Sequence, residues 1–237
     1  MEDDLMTAHL RPTATRPLLG LTVLVVEDSR FACDAMRLLC LRSGARIRRA
    51  DCLKSARRHL QVYRPSAVII DLGLPDGSGA ELISELSVTS PRVEVILGTS
   101  GDSFSEEVAL AAGADGFLAK PISSVIAFQN AIISALPIER QPNGPRLVSD
   151  DPVSPDPLAY RDDMAHAADV LDDRENDRSL TYVTQFIAGV ARSAGDGVLQ
   201  KAAEALADAR QSGRPMQSDL ARVAALVQDR MTDRLAM

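Results

Sequence analysis

The sequence predicts an α/β protein: a five-stranded, doubly wound parallel sheet followed by a smaller all-helical C-terminal domain. Three observations carry this. Short apolar, β-branched runs alternate with helix-spaced segments five times over about 120 residues, the pattern of a parallel sheet with helices on both faces. A proline-rich stretch, 137–157, then interrupts the alternation: Pro137, Pro142, Pro145, Pro152, Pro155 and Pro157 fall within it. After it, four apolar stripes at helical spacing follow one another with no strand pattern between them.

Taken in order, residues 1–20 contain Pro12, Pro17 and mixed polar residues, and predict a flexible lead. Residues 21–136 are the α/β domain. Leu21–Val26 reads as a strand buried on both faces. Phe31, Ala35, Leu38 and Leu39 continue as a helix ending at Gly44. Ala45–Ala50 and Ala67–Ile70 read as strands, Leu53–Tyr63 between them as a helix, and Leu74–Gly79 as a turn. A helix over Ala80–Val88, a strand over Val93–Leu97, a helix over Phe104–Ala112, a strand over Asp115–Ala119 and a helix over Ile122–Leu136 complete the domain. Residues 137–157 are a linker. Residues 158–237 form a small helical bundle, for dimerisation or partner binding. In it Asp156-Pro157 and Asp196 are helix-starting signals, and Gly195, Gly197, Gly213 and Pro215 are breaks.

Composition narrows the function classes. The 237 residues are 46% hydrophobic and 25% charged, an ordinary globular balance. Net charge is −7, and from Ile138 onward there are 12 basic against 17 acidic residues. An acidic chain is a poor electrostatic match for nucleic acid, so nucleic acid is an unlikely partner. No apolar run is long enough to span a bilayer, so no membrane insertion is expected. The acidic start Met1-Glu2-Asp3-Asp4 is unlike a secretory leader, which places the protein in the cytoplasm. Cys33, Cys40 and Cys52 have no metal-binding spacing and read as small buried hydrophobes.

The chemistry is written at strand ends. Glu27 and Asp28 follow the first strand and Asp71 the third, and such ends converge on one crevice. Three close carboxylates repel one another and call for a cation; oxygen-only ligands suit Mg²⁺. Thr99 adds a hydroxyl and Lys120 an ammonium from two further strand ends. That set suits phosphoryl transfer, where positioning and charge neutralisation dominate.

These residues lie in Leu24-Val-Val-Glu-Asp-Ser29, Asp71-Leu-Gly-Leu-Pro-Asp-Gly-Ser-Gly79, Gly98-Thr-Ser100 and Gly113-Ala-Asp-Gly-Phe-Leu-Ala-Lys-Pro121. In order and spacing, 21–136 resembles the receiver domain of bacterial two-component response regulators, a flavodoxin-like fold. The resemblance implies that Asp71 accepts a phosphoryl group from a histidine kinase or phosphotransfer protein. It implies that Glu27, Asp28, Asp71 and the backbone carbonyl of Gly73 hold Mg²⁺. Thr99 and Lys120 would contact the phosphoryl group, Thr99 and Phe117 would be the switch pair, and Lys120–Pro121 would be a cis peptide. It also implies a signalling domain that catalyses only its own phosphorylation and dephosphorylation, not an enzyme with a separate substrate. Two departures from the commonest pattern stand out: Phe117 has no hydroxyl, and Gly73 and Gly101, with no side chains near the acyl phosphate, are expected to leave the site open to water.

The output is less specified. The apolar helix Ile122–Leu136, with Val125, Ile126, Phe128, Ile132, Ile133 and Leu136, has more apolar surface than one face needs. It is expected to be covered by the tail or by a second copy, which predicts a homodimer or a protein partner. The basic cluster from Arg42 to Arg64 reads as a solvated face able to steer an acidic partner. His166 lies in no phosphotransfer motif and reads as a packed or solvated histidine. The expected function is signalling through a change in protein–protein assembly. A DNA-binding transcriptional regulator and a phosphorelay intermediate or phosphate sink are the alternatives.

Overall fold

The computed structural model describes residues 11–102, 104–147, 152–172 and 177–232. Strands β1 (Thr22–Val26), β2 (Arg46–Ala50), β3 (Ala67–Asp71), β4 (Val95–Ser100) and β5 (Gly116–Ala119) form one parallel sheet in the order β2-β1-β3-β4-β5. Helices α1 (Arg30–Ser43) and α5 (Val125–Ala135) cover one face; α2 (Leu53–Val62), α3 (Gly79–Val88) and α4 (Ser105–Ala111) cover the other. The apolar run of β1 is continuous because both faces are buried: Val23 and Val25 pack with α1 and α5, and Leu24 and Val26 with α2 and α3. Strand order reverses between β1 and β3, which opens the crevice beyond their carboxyl ends.

Local signals fix the helix ends. Ser29 caps α1 by accepting the Ala32 N–H at 3.0 Å, and Gly44 ends it in the left-handed region at φ 84°. The turn after Asp71 is a tight hairpin of Gly73–Leu74 against Gly77–Ser78. Its Asp76 accepts the N–H groups of Leu53 and Lys54 at 2.8 and 2.9 Å, capping α2 from across the crevice.

Three expectations are corrected. The fourth strand starts and ends later than Val93–Leu97. Thr99 and Ser100 pair with Leu118 and Ala119, so ladder pairing carries the strand past its apolar run. The lead is not free where it is described: Leu18 is fully buried in the α1–α5 core, and its N–H donates to Ser43 at 2.9 Å. Its apolar side chain outweighs the neighbouring Pro17. Residues 1–10 lie outside the described residues. Finally, the linker is not a bare spacer: part of the cover expected over α5 comes from it. Val153, from the proline-rich stretch, is buried in that core, and its N–H donates to Ser123 at 3.1 Å. Beyond a single 3-10 turn at Ile138–Arg140, the described part of this stretch forms neither helix nor sheet before Pro157, and the Asp156 N–H donates to Asp34 of α1 at 2.9 Å.

Four helices follow: α6 (Pro157–Asp172), α7 (Asp177–Ala194), α8 (Gly197–Gln211) and α9 (Gln217–Thr232). Their stripes meet in a separate core that includes Met164, Ile187, Leu206, Val223 and Val227. Asp196 caps α8 through the Leu199 N–H at 3.1 Å and pairs with Arg230 of α9 at 2.8 Å. The bundle packs through α6 and α7 onto α1. Cys33 and Cys40 are buried and Cys52 is half-buried. Among the described residues no helix is long and apolar enough to cross a membrane.

Candidate functional site

Strand register builds the site. Asp71 ends β3 directly beside Thr99 of β4, and Thr99 in turn stands beside Leu118 of β5. Val26, the last residue of β1, pairs with Ile70, so Glu27 and Asp28 emerge next to Asp71. Carboxylate oxygens of Glu27, Asp28 and Asp71 lie within 4.8 Å of one another. Lys120, one residue past β5, puts its ammonium 2.6 Å from Glu27 and 3.1 Å from Asp71. The Lys120–Pro121 peptide is cis, as the sequence pattern implies. Ser90–Pro91 is also cis, and no pattern in the sequence marks it.

Burial sets the charge balance. Glu27 is 2% exposed and Asp71 7% exposed. Desolvation, opposed by Lys120, pushes the Glu27 carboxyl up to about 8. Desolvation together with Asp71 pushes Asp28 up to about 7, against a hydrogen bond from Tyr182. Burial works against the charge of Lys120, but Asp71 and Glu27 more than offset it and hold the ammonium above the usual lysine range. One ammonium therefore faces three acids in a largely desolvated crevice. An all-oxygen donor set with surplus negative charge fits a hard divalent cation. Gly73 lies on the exposed hairpin, with nothing within 4 Å of where a Cβ would stand.

Thr99 is buried, and its hydroxyl donates to the Leu118 carbonyl at 2.7 Å. Phe117 is half-buried opposite Gly98, and a Cβ on Gly98 would lie 3.2 Å from its ring. Gly79 opens α3 against β3: a Cβ there would stand 2.0 Å from the Asp71 carbonyl oxygen. Only glycine lets α3 approach that closely. The Glu27 Oε1 accepts the Ser29 N–H at 3.2 Å, tying the acidic pair to the start of α1.

The structure also brings in residues that sequence reasoning missed. Tyr182 of α7 donates to Asp28 at 2.5 Å. Asp163 of α6 accepts from Ser29 Oγ at 2.7 Å and from the N–H groups of Arg30 and Phe31 at 2.7 and 3.1 Å. Arg192 of α7 donates to the Gly101 carbonyl. No local pattern marks these residues, because the partners lie 134, 154 and 91 positions away in the chain. His166 is exposed, with Nε2 3.1 Å from the Tyr182 hydroxyl and its ring edge-on to Phe186.

The chain is similar to known proteins over its first part. Residues 23–130 match the family model described as the response regulator receiver domain. The chain is 34% identical over 99 residues to the KDP operon transcriptional regulatory protein KdpE of Escherichia coli K12, covering 42% of this chain and 44% of KdpE. It is 30% identical over 133 residues to the probable transcriptional regulatory protein TcrX of Mycobacterium tuberculosis H37Rv, covering 55% of this chain and 57% of TcrX. The chain thus spans about half the length of the curated relatives it matches. Among solved structures, a putative response regulator from Chloroflexus aurantiacus is 25% identical with a TM-score of 0.45, covering 48% of this chain and 98% of that one. Residues 23–130 form a response regulator receiver domain.

Proposed function

We propose that the chain is a two-component response regulator, with Asp71 as the phosphoacceptor. The observation that carries this reading is the meeting of Asp71 with Lys120, Glu27 and Asp28 at the carboxyl end of the sheet, beside the Thr99 hydroxyl. A carboxylate oxygen of Asp71 attacks the phosphorus of a phosphohistidine in a kinase or phosphotransfer protein. The P–N bond breaks, and the imidazole keeps that electron pair. Glu27, Asp28, Asp71 and the Gly73 carbonyl would hold Mg²⁺, which when bound neutralises phosphoryl charge. Lys120 contributes its ammonium to the same charge.

Thr99 and Phe117 relay the change. The Thr99 hydroxyl has one proton to donate, now given to Leu118. Turning to a phosphoryl oxygen releases that carbonyl, which alters packing at β5 beside Phe117 and biases the domain between two states. We assign the output to protein–protein assembly, as a homodimer or with a protein partner, in the cytoplasm, with the catalysis confined to the domain's own phosphorylation and dephosphorylation. A DNA-bound output is the second reading, favoured by the names of the relatives, which are transcriptional regulatory proteins.

The test is phosphorylation by a small acyl phosphate, followed on phosphate-affinity gels for wild type and Asp71→Asn. The expected result is a labelled band in wild type alone; equal labelling of both removes Asp71 as acceptor. Light scattering with and without beryllofluoride then reads assembly, and salt-sensitive binding to random DNA would favour the second reading.

A further inference from the structure

The contacts that hold the helical bundle to the receiver lie on the rim of the Asp71 crevice or on α1 beside it. Asp163 is 1% exposed and takes three donors from the first turn of α1 and its cap. Beside it Arg30 pairs with Asp162 at 2.6 Å, and Phe31 sits edge-on to Tyr160 with ring centroids 5.9 Å apart. Tyr182 reaches Asp28 from above the crevice, and Arg192 fastens α7 to the opposite rim at Gly101 while pairing with Glu204 of α8. A cleft of about 1540 Å³ remains between the crevice and α7–α8. The bundle is thus a roof, held at three points on two sides of the acceptor.

A hard cation in this crevice keeps several waters, so it needs room as well as charge. The cleft leaves that room, but the charge is engaged: the Tyr182 hydroxyl donates to an oxygen of Asp28, a carboxylate the cation would use. Whatever lowers the affinity of the cation when the bundle is docked must lower docking by the same factor when the cation is bound. We propose that α6 and α7 are an autoinhibitory cap, held by Tyr182 on Asp28 and Asp163 on the start of α1, whose docking opposes divalent-cation loading of the acceptor site. The proposal rests on the phosphoacceptor reading above. Asp163 is the anchor, and Tyr182 is the positioning residue that reports on the metal site.

The experiment uses the full chain and Mn²⁺ alone. Binding is titrated by electron paramagnetic resonance for wild type, Tyr182→Phe and Asp163→Ala. Hydrogen exchange of the Arg30 and Phe31 amides, which donate to Asp163, is followed with and without the cation. Both variants are expected to bind Mn²⁺ about tenfold more tightly, a modest value for such coupling. In wild type, Mn²⁺ is expected to speed exchange at Arg30 and Phe31. Equal affinities in all three proteins, with exchange indifferent to the cation, overturn the cap and leave the metal reading standing. If none of the three binds Mn²⁺, cap and metal reading fall together. Tyr182→Phe removes one hydroxyl and keeps the ring, so it serves if Asp163→Ala does not fold.

Discussion

Lys120 leans toward Glu27, at 2.6 Å, more closely than toward Asp71, at 3.1 Å. In the resting crevice the ammonium is therefore the charge that opposes the upward push of burial on the Glu27 carboxyl. Lys120→Met should leave three carboxylates with no facing cation. Removing one partner of a buried pair costs about 3–5 kcal/mol, so urea unfolding in a chelator should show a loss of that order. Mg²⁺ should return more stability to the variant than it adds to wild type, because binding to the folded state alone stabilises it. Equal midpoints in chelator would remove Lys120 as the charge that holds the pocket together.

Gly79, the first residue of α3, and Gly73, on the hairpin before it, should respond oppositely. A Cβ on Gly79 would stand 2.0 Å from a backbone oxygen of Asp71, whereas one on Gly73 meets nothing within 4 Å. Gly79→Ala should cost about 1–3 kcal/mol as an overpacking change, and Gly73→Ala should be close to neutral. The open side of Gly73 also bears on phosphate lifetime. Gly73→Met should shield an acyl phosphate from water and lengthen its half-life, and equal half-lives would remove that role.

Asp196 gathers three elements of the bundle: the start of α8, Arg230 of α9 and the Tyr160 hydroxyl of α6 at 3.0 Å. Burial alone would raise its carboxyl, but Arg230, the Leu199 N–H and Tyr160 together lower it to about 2 from an ordinary 3.8. A depressed acid stabilises the fold fully above its unfolded value and loses that contribution as pH falls through the folded one. Asp196→Asn should therefore cost about 2 kcal/mol at pH 7, because each tenfold gain in acid strength on folding is worth about 1.4 kcal/mol. The gap to wild type should hold down to about pH 4.5 and shrink toward pH 2, read as midpoints of urea unfolding.

Thr99→Ala removes the 2.7 Å bond to the Leu118 carbonyl. The net loss should be about 1 kcal/mol in urea unfolding. If the relay runs through this hydroxyl, the variant should still be labelled at Asp71 but show no phosphorylation-dependent change in light scattering.

What could be read from the sequence was whatever is written locally. The acids at strand ends, the Gly44 stop, the Asp196 cap and the Lys120–Pro121 pair each depend on neighbours a few residues away, and each appears where its pattern put it. The far end of the fourth strand lies beyond the apolar run Val93–Leu97, because pairing of Gly98 with Phe117 and of Thr99 with Leu118 decides it across the sheet. Leu18 was hidden behind prolines. The docking of Asp163 and Tyr182 could not be read at all. An aspartate and a tyrosine on amphipathic helices look like solvated positions until a distant helix end is brought against them.

The proline-rich stretch, threaded over α5 and fastened at Ser123 and Asp34, makes the bundle's hold on the receiver a matter of tethering. A short tether keeps a released module at a local concentration of about millimolar. A free partner competing for the α1 face at micromolar levels therefore starts about a thousandfold behind. Diluting the protein should not lift the bundle, whereas cutting the leash should, because the two halves would then have to find one another by diffusion.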